Sequence, residues 1–241
     1  MKKLVIATFC SLLVLTGLFV FSRRHASKSV SAAAAATLPV VILDPGHGGF
    51  DGGAAAPDGT PEKDFNLAIA LETRDALESR GFTVIMTRED DNGTEDPGLE
   101  TIRQKKVSDI RNRMALMESV DRGIFVSIHQ NYYEDASCSG AQIFYSGNTE
   151  ESRRLAQLLQ EAISGALQPG NTRAIKQSDE SVYLLYHARI PAVMIECGFL
   201  SNADDVSLLR DPDYRAALAS VIAETLYNAY TQTEDAYGSQ E

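Results

Sequence analysis

From Leu38 onward, short β-rich apolar runs alternate with longer segments of helical periodicity. Val40-Val41-Ile42-Leu43 is a continuous apolar run, which predicts a buried strand. Glu62 to Arg80 carries Phe65, Leu67, Ile69 and Leu71 near its start and Leu77 near its end, predicting a helix stopped by Gly81. Phe82 to Met86 follows as the next strand. Residues 89–107 are polar and contain Asp96-Pro97-Gly98, so they read as a surface excursion built on turn chemistry. Beyond it lie a helix over Ser108 to Val120, a buried strand over Gly123 to Ile128 and a strand over Ala141 to Tyr145. A helix over Glu150 to Leu167 ends at Pro169-Gly170, Ala192 to Ile195 forms a further strand, and Tyr214 to Tyr230 forms a closing helix. Strands separated by helices predict an α/β fold: a single domain with a central twisted, mostly parallel or mixed sheet flanked by helices on both faces. With no internal repeat, residues 38–230 are one unit, followed by a polar tail at 231–241.

The first 37 residues follow different rules. Lys2-Lys3 precedes Leu4 to Phe21, an uncharged run rich in Leu, Val and Phe, and an Ala/Ser-rich linker follows. A basic start and an apolar run mark an export signal or a membrane anchor. The small residues Ala32 to Ala36 stand beyond Arg23-Arg24, far past the apolar run, and this favours an uncleaved anchor. Cys10 follows Phe9, not a small residue, so no lipoprotein site is read there. Either way the body is expected outside the cytoplasmic membrane, membrane-anchored or secreted.

Charge sharpens the division. The net charge is -11, yet residues 1–36 hold five basic residues and no acid, so the body is more acidic than the total implies. Such a body excludes nucleic acid as a partner, since phosphate contact needs a basic face. An anionic cell wall would not draw it in by long-range attraction either, which calls for membrane tethering or an accessory protein. Three cysteines exclude a disulfide scaffold. Cys138 and Cys197 are the pair to consider, with a packed free thiol as the default for Cys197.

Open α/β sheets hold ligands beyond the carboxyl ends of their strands. One strand runs into Asp44-Pro45-Gly46-His47-Gly48-Gly49, another into His129-Gln130-Asn131, and the last into Glu196-Cys197-Gly198. Laid side by side, these ends bring His47, His129 and Glu196 to one rim. Thr60 is a plausible helix N-cap and Pro61 suits the first helical position, which puts Glu62 in the first turn facing that rim. The glycine-rich loop after His47 lacks the Lys-Ser/Thr ending and the spacing of a phosphate cradle, so it reads as a tight bend that leaves room for a ligand. Two neutral imidazoles and one carboxylate make the three-ligand set of catalytic zinc, with a second carboxylate left over as general base. Asp44, three residues before His47, is placed to hold a ligand imidazole by its second nitrogen. Singly, each of these residues has a structural explanation; Glu196 does not, because a carboxylate after Ala-Val-Met-Ile in a buried strand is costly unless paired or functional. Asn131 is a candidate to hydrogen-bond substrate. Tyr132-Tyr133 are weaker candidates to stack on sugar, His187 reads as an exposed loop residue, and Arg88 and Arg113 read as structural ion-pair partners.

LDPGHGG, PEKDFNLA, SIHQN and IECGFLSN, in this order over residues 38–230, resemble the zinc-dependent N-acetylmuramoyl-L-alanine amidases of the amidase-3 type. GAQIFYSGN, NTRAIKQ and SVYLLYHARIPAVMIECGFLSN are similar to the sporulation-specific members that act on spore-cortex peptidoglycan. The resemblance implies a sheet of about six strands, one Zn²⁺ ion held by His47, Glu62 and His129, and Glu196 as the catalytic glutamate. It implies hydrolysis of the amide between N-acetylmuramic acid and L-alanine. Gln130 and Cys197 depart from the family's usual small and aliphatic residues without removing a group that the chemistry needs. Two other readings fit part of the pattern: an inactive wall-binding protein on the same fold, and a mononuclear iron oxygenase, which also uses two histidines and a carboxylate but belongs on an all-β scaffold and leaves Glu196 idle.

Overall fold

The computed structural model describes residues 38–231; the expected signal or anchor segment, its linker and the polar tail lie outside the described residues. β1 (Val40–Pro45), β2 (Val84–Met86), β3 (Gly123–Asn131), β4 (Gln142–Tyr145), β5 (Lys176–Gln177) and β6 (Ala192–Phe199) form one sheet in the order β2-β1-β3-β6-β4-β5. All neighbouring pairs are parallel except β4 with β6, so the sheet is mixed. This agrees with the expected architecture, and it is incompatible with the all-β scaffold of the oxygenase reading.

The helices are α1 (Glu62–Glu78), α2 (Ile102–Glu118), α3 (Glu150–Leu167), α4 (Tyr183–His187), α5 (Ala203–Arg210) and α6 (Pro212–Thr231). Alternation along the strands sends side chains to two unequal cores. Val41, Leu43, Ile124, Val126, Val193 and Ile195 pack with Ile69, Leu159 and Ile222 from α1, α3 and α6. On the opposite face Ile42, Phe125 and Ala192 meet Met114 and Met117 of α2 and Leu185 of α4. Continuing that second parity towards the strand ends brings up Asp44, Ser127, His129 and Glu196 instead of hydrophobes. Polar chemistry therefore collects at the carboxyl end of the thinner face.

Two expectations need correction, and three short elements were not anticipated. α2 begins at Ile102, inside the stretch read as a surface excursion. A capping box starts it: the Thr101 side chain accepts from the Gln104 N–H, and the Gln104 side chain accepts from the Thr101 N–H. Pro61, not Thr60, is the N-cap residue of α1, and the Thr60 hydroxyl donates to Asp58. The two-residue β5 and the short α4 and α5 carry too little periodicity to be read from sequence, although Asn202 caps α5 by accepting from the Asp204 and Asp205 N–H groups.

Candidate metal centre

His47 lies just past β1, at φ 60°. Arg113 fixes the turn by donating to the His47 carbonyl at 2.7 Å and to the Pro45 carbonyl at 3.0 Å. Arg88 donates to the Pro45, Gly46, Lys63 and Asp90 carbonyls, so it is a backbone clamp and not the ion-pair partner expected. His129 and Glu196 are direct register neighbours on β3 and β6. The register of that pairing shifts between His129 and Asn131, and the Gln130 N–H donates to Glu62 Oε1 at 3.1 Å.

Glu62 sits in the first turn of α1 with its side chain only 5% exposed. Its Oε1 lies 2.9 Å from His129 Nδ1, and its Oε2 lies 3.2 Å from His47 Nε2. One ligand atom from each of His47, Glu62 and His129 lies within 4.8 Å of the other two. Ala54 N–H and the Asn66 side-chain amide also donate to the Glu62 carboxylate.

Two glycines make this approach feasible. A Cβ on Gly46 would stand 2.0 Å from His129 Nε2, and one on Gly53 would stand 2.5 Å from Glu62 Oε2. The loop glycines were expected to leave room for a ligand; at these two positions they leave room for the His129 and Glu62 side chains.

Burial alone would push the Glu62 carboxyl up, but hydrogen bonds and charge from His129 and His47 outweigh it and hold the group well below the usual carboxylate range. Burial opposes charge on His47 too, yet hydrogen bonds to Asp51 and Glu62 raise it to about 9. Glu196 moves the other way. Burial lifts it to about 7, the Glu62 charge adds to the rise, and the imidazoles oppose it. Its Oε2 is shielded and has no hydrogen-bond partner. A shielded, unpartnered oxygen of Glu196 beside two imidazoles and the Glu62 carboxylate makes a donor set that fits a divalent cation.

Asp44 does not hold an imidazole. Its carboxylate accepts from Ser127 Oγ at 2.6 Å, Thr87 Oγ1 at 2.7 Å and Arg113 Nη1, and the arginine keeps it ionised despite burial. The His47 Nδ1 partner is Asp51, at 3.1 Å, which sequence reasoning passed over. Asn131 ends β3, its Oδ1 accepting from the Tyr132 N–H. Tyr132 and Tyr133 are exposed beside it. His187 is exposed at the end of α4 and packs against Tyr183 and Tyr186. Cys138 and Cys197 are both free thiols.

A family model described as N-acetylmuramoyl-L-alanine amidase matches residues 41–228. The germination-specific N-acetylmuramoyl-L-alanine amidase of Bacillus subtilis (strain 168) is 35% identical over 196 residues, covering 81% of each chain. The CwlD amidase from Clostridioides difficile, solved in complex with the GerS lipoprotein, matches at 39% identity and a TM-score of 0.74, over 82% of this chain and 99% of that one. The amidase AmiC2 of Nostoc punctiforme matches at 26% identity and a TM-score of 0.65, over 78% of this chain and 94% of that one. The chain belongs to the N-acetylmuramoyl-L-alanine amidase family and is a peptidoglycan amidase.

Proposed function

We propose that His47, Glu62 and His129 hold one Zn²⁺ ion and that Glu196 is the general base and acid for hydrolysis of the amide between the lactyl group of N-acetylmuramic acid and L-alanine. The observation that carries this reading is the shielded, unpartnered Oε2 of Glu196 beside a three-donor cluster. When bound, zinc supplies Lewis-acid polarisation of the scissile carbonyl and acidifies water at neutral pH. Glu196 takes a proton from the attacking water as its oxygen bonds to the carbonyl carbon. It returns that proton to the L-alanine nitrogen as the C–N bond breaks, leaving a lactyl carboxylate and a free amine. Asn131 has its Oδ1 engaged, which leaves its amide N–H groups for a substrate carbonyl.

The likeness to a germination-specific amidase supports action in spore-cortex maturation. Peptidoglycan lies outside the cytoplasmic membrane, and the basic, apolar N-terminal segment fits export with retention as an anchor. An accessory partner is supported by the lipoprotein bound to the Clostridioides difficile relative. Among the described residues no helix is long and apolar enough to cross a membrane. The test is Glu196→Gln in the zinc-loaded protein, assayed on peptidoglycan for new L-alanine amino termini. Zinc content is expected to stay at one ion per chain while turnover falls by about 10²–10⁴-fold, the worth of a positioned acid–base group. Retained turnover would overturn the assignment of Glu196.

A further inference from the structure

The first imidazole of the cluster is held by a residue to which no role has been given. Asp51 Oδ2 lies 3.1 Å from His47 Nδ1, while His47 Nε2 points the other way, 3.2 Å from Glu62 Oε2. The turn between them is closed by reciprocal backbone bonds: Gly48 N–H donates to the Asp51 carbonyl and Asp51 N–H to the Gly48 carbonyl, each at 3.0 Å. That closure returns the chain beneath the imidazole and fixes where the carboxylate stands. The carboxylate is tethered twice more. Oδ2 pairs with Lys106 Nζ of α2 at 3.2 Å, and Oδ1 accepts from the Gly53 N–H at 3.4 Å. Asp51, Lys106, His47 and His129 line one cavity of about 350 Å³.

We propose that Asp51 is the positioning residue of this centre, accepting the Nδ1–H of His47 and so presenting its Nε2 lone pair to the metal. The inference rests on the metal set proposed above. An imidazole whose Nδ1 proton is given to a carboxylate is fixed in tautomer and ring orientation and made a more basic ligand. His129 needs no such partner. Its Nε2 edge is packed against the Gly46 backbone, which leaves Nδ1 facing Glu62. His47 has a side chain 24% exposed, and among the described residues its ring nitrogens pair only with Asp51 and Glu62. Asp44, nearer in sequence to His47's strand, is consumed by Arg113, Ser127 and Thr87 and cannot substitute.

The test is the zinc dissociation constant of the full chain, measured by competition with a chromogenic chelator, together with ¹⁵N NMR of His47 in the zinc-loaded wild type. Asp51→Ala is expected to weaken zinc by about 10–100-fold, the usual loss for an outer partner of a ligating histidine. Asp51→Asn, whose side-chain oxygen can accept the same proton, is expected to recover most of that loss. The NMR spectrum is expected to show a protonated Nδ1 and a zinc-coordinated Nε2, and it answers the question even if Asp51→Ala does not fold. An Nδ1-coordinated ring, or wild-type affinity in Asp51→Ala alongside loss of zinc in His47→Ala, would overturn the role of Asp51. Wild-type affinity in His47→Ala would instead overturn the metal set itself.

Discussion

At the scale of single residues, the centre depends on how closely backbone and side chains approach. A Cβ on Gly46 would stand 2.0 Å from His129 Nε2, so Gly46→Ala drives a methyl into the ring of a proposed ligand and not into solvent. The expected result is loss of zinc affinity by about tenfold or more, the size of effect seen when a ligand's support is disturbed, with the far-ultraviolet spectrum unchanged. Glu196 offers a separate check in zinc-free protein. Its carboxyl, pushed up to about 7 in the folded protein, stands above the ordinary glutamate value of 4.5. The folded state therefore binds the proton more tightly than the unfolded one. Stability is intact below pH 4.5, falls as pH rises towards 7, and stays reduced above it. The penalty at pH 8 is up to about 3 kcal/mol. Glu196→Gln is thus expected to raise the Tm of the zinc-free protein at pH 8 by several degrees and to leave it unchanged at pH 4. A Tm gain of equal size at both pH values would remove burial of charge as the cause. The four residues of the centre were legible because each stands at a strand end or in a helix's first turn, where topology alone brings them to one rim. Asp51 was not, because its position depends on how a glycine-rich turn closes. Asp44 was preferred on spacing, although its parity on β1 turns it towards Ser127 and Arg113.

At the scale of elements, α2 joins the turn after β1 to the rest of the fold. Arg113 is 3% exposed and meets Asp44, Asp109 and two carbonyls of the β1 turn. Removing one partner of a buried pair leaves the other charged and unsatisfied. Arg113→Ala is expected to destabilise the protein by about 3–5 kcal/mol, read as a drop in the urea midpoint, and to loosen the His47 turn. A midpoint within the error of wild type would show that the pair adds nothing to the fold. This same helix was the element most poorly delimited from sequence. Away from the site it carries Arg103, Lys105 and Arg111 among exposed Ile102 and Val107, so no clean apolar stripe marks its start. The sign that it begins at Ile102 is the Thr101 and Gln104 pairing, a capping box visible in the sequence as T-x-x-Q. β1, β3 and β6 were legible for the opposite reason: they are buried on both faces and read as unbroken apolar runs.

At the scale of the whole molecule, charge governs how the enzyme meets its substrate. The chain carries -11 overall, its basic residues are enriched in the N-terminal 36, and the body is acidic. A wall bearing anionic polymers repels such a body over the Debye length, about 30 Å at 0.01 M salt and about 8 Å at 0.15 M. Free diffusion to the wall is therefore opposed by the long-range field, while recognition at the centre is local and polar. Raising salt from 0.01 to 0.15 M is expected to strengthen sedimentation of the catalytic body with purified sacculi, the reverse of what a basic wall-binding protein would show. The gain should shrink on sacculi stripped of anionic polymer, since only the repulsive field has been screened. Binding that weakens with salt on both substrates would mean that a local basic surface, such as the outer face of α2, dominates encounter. In that event tethering through the N-terminal segment would not be needed to bring the acidic body to the wall.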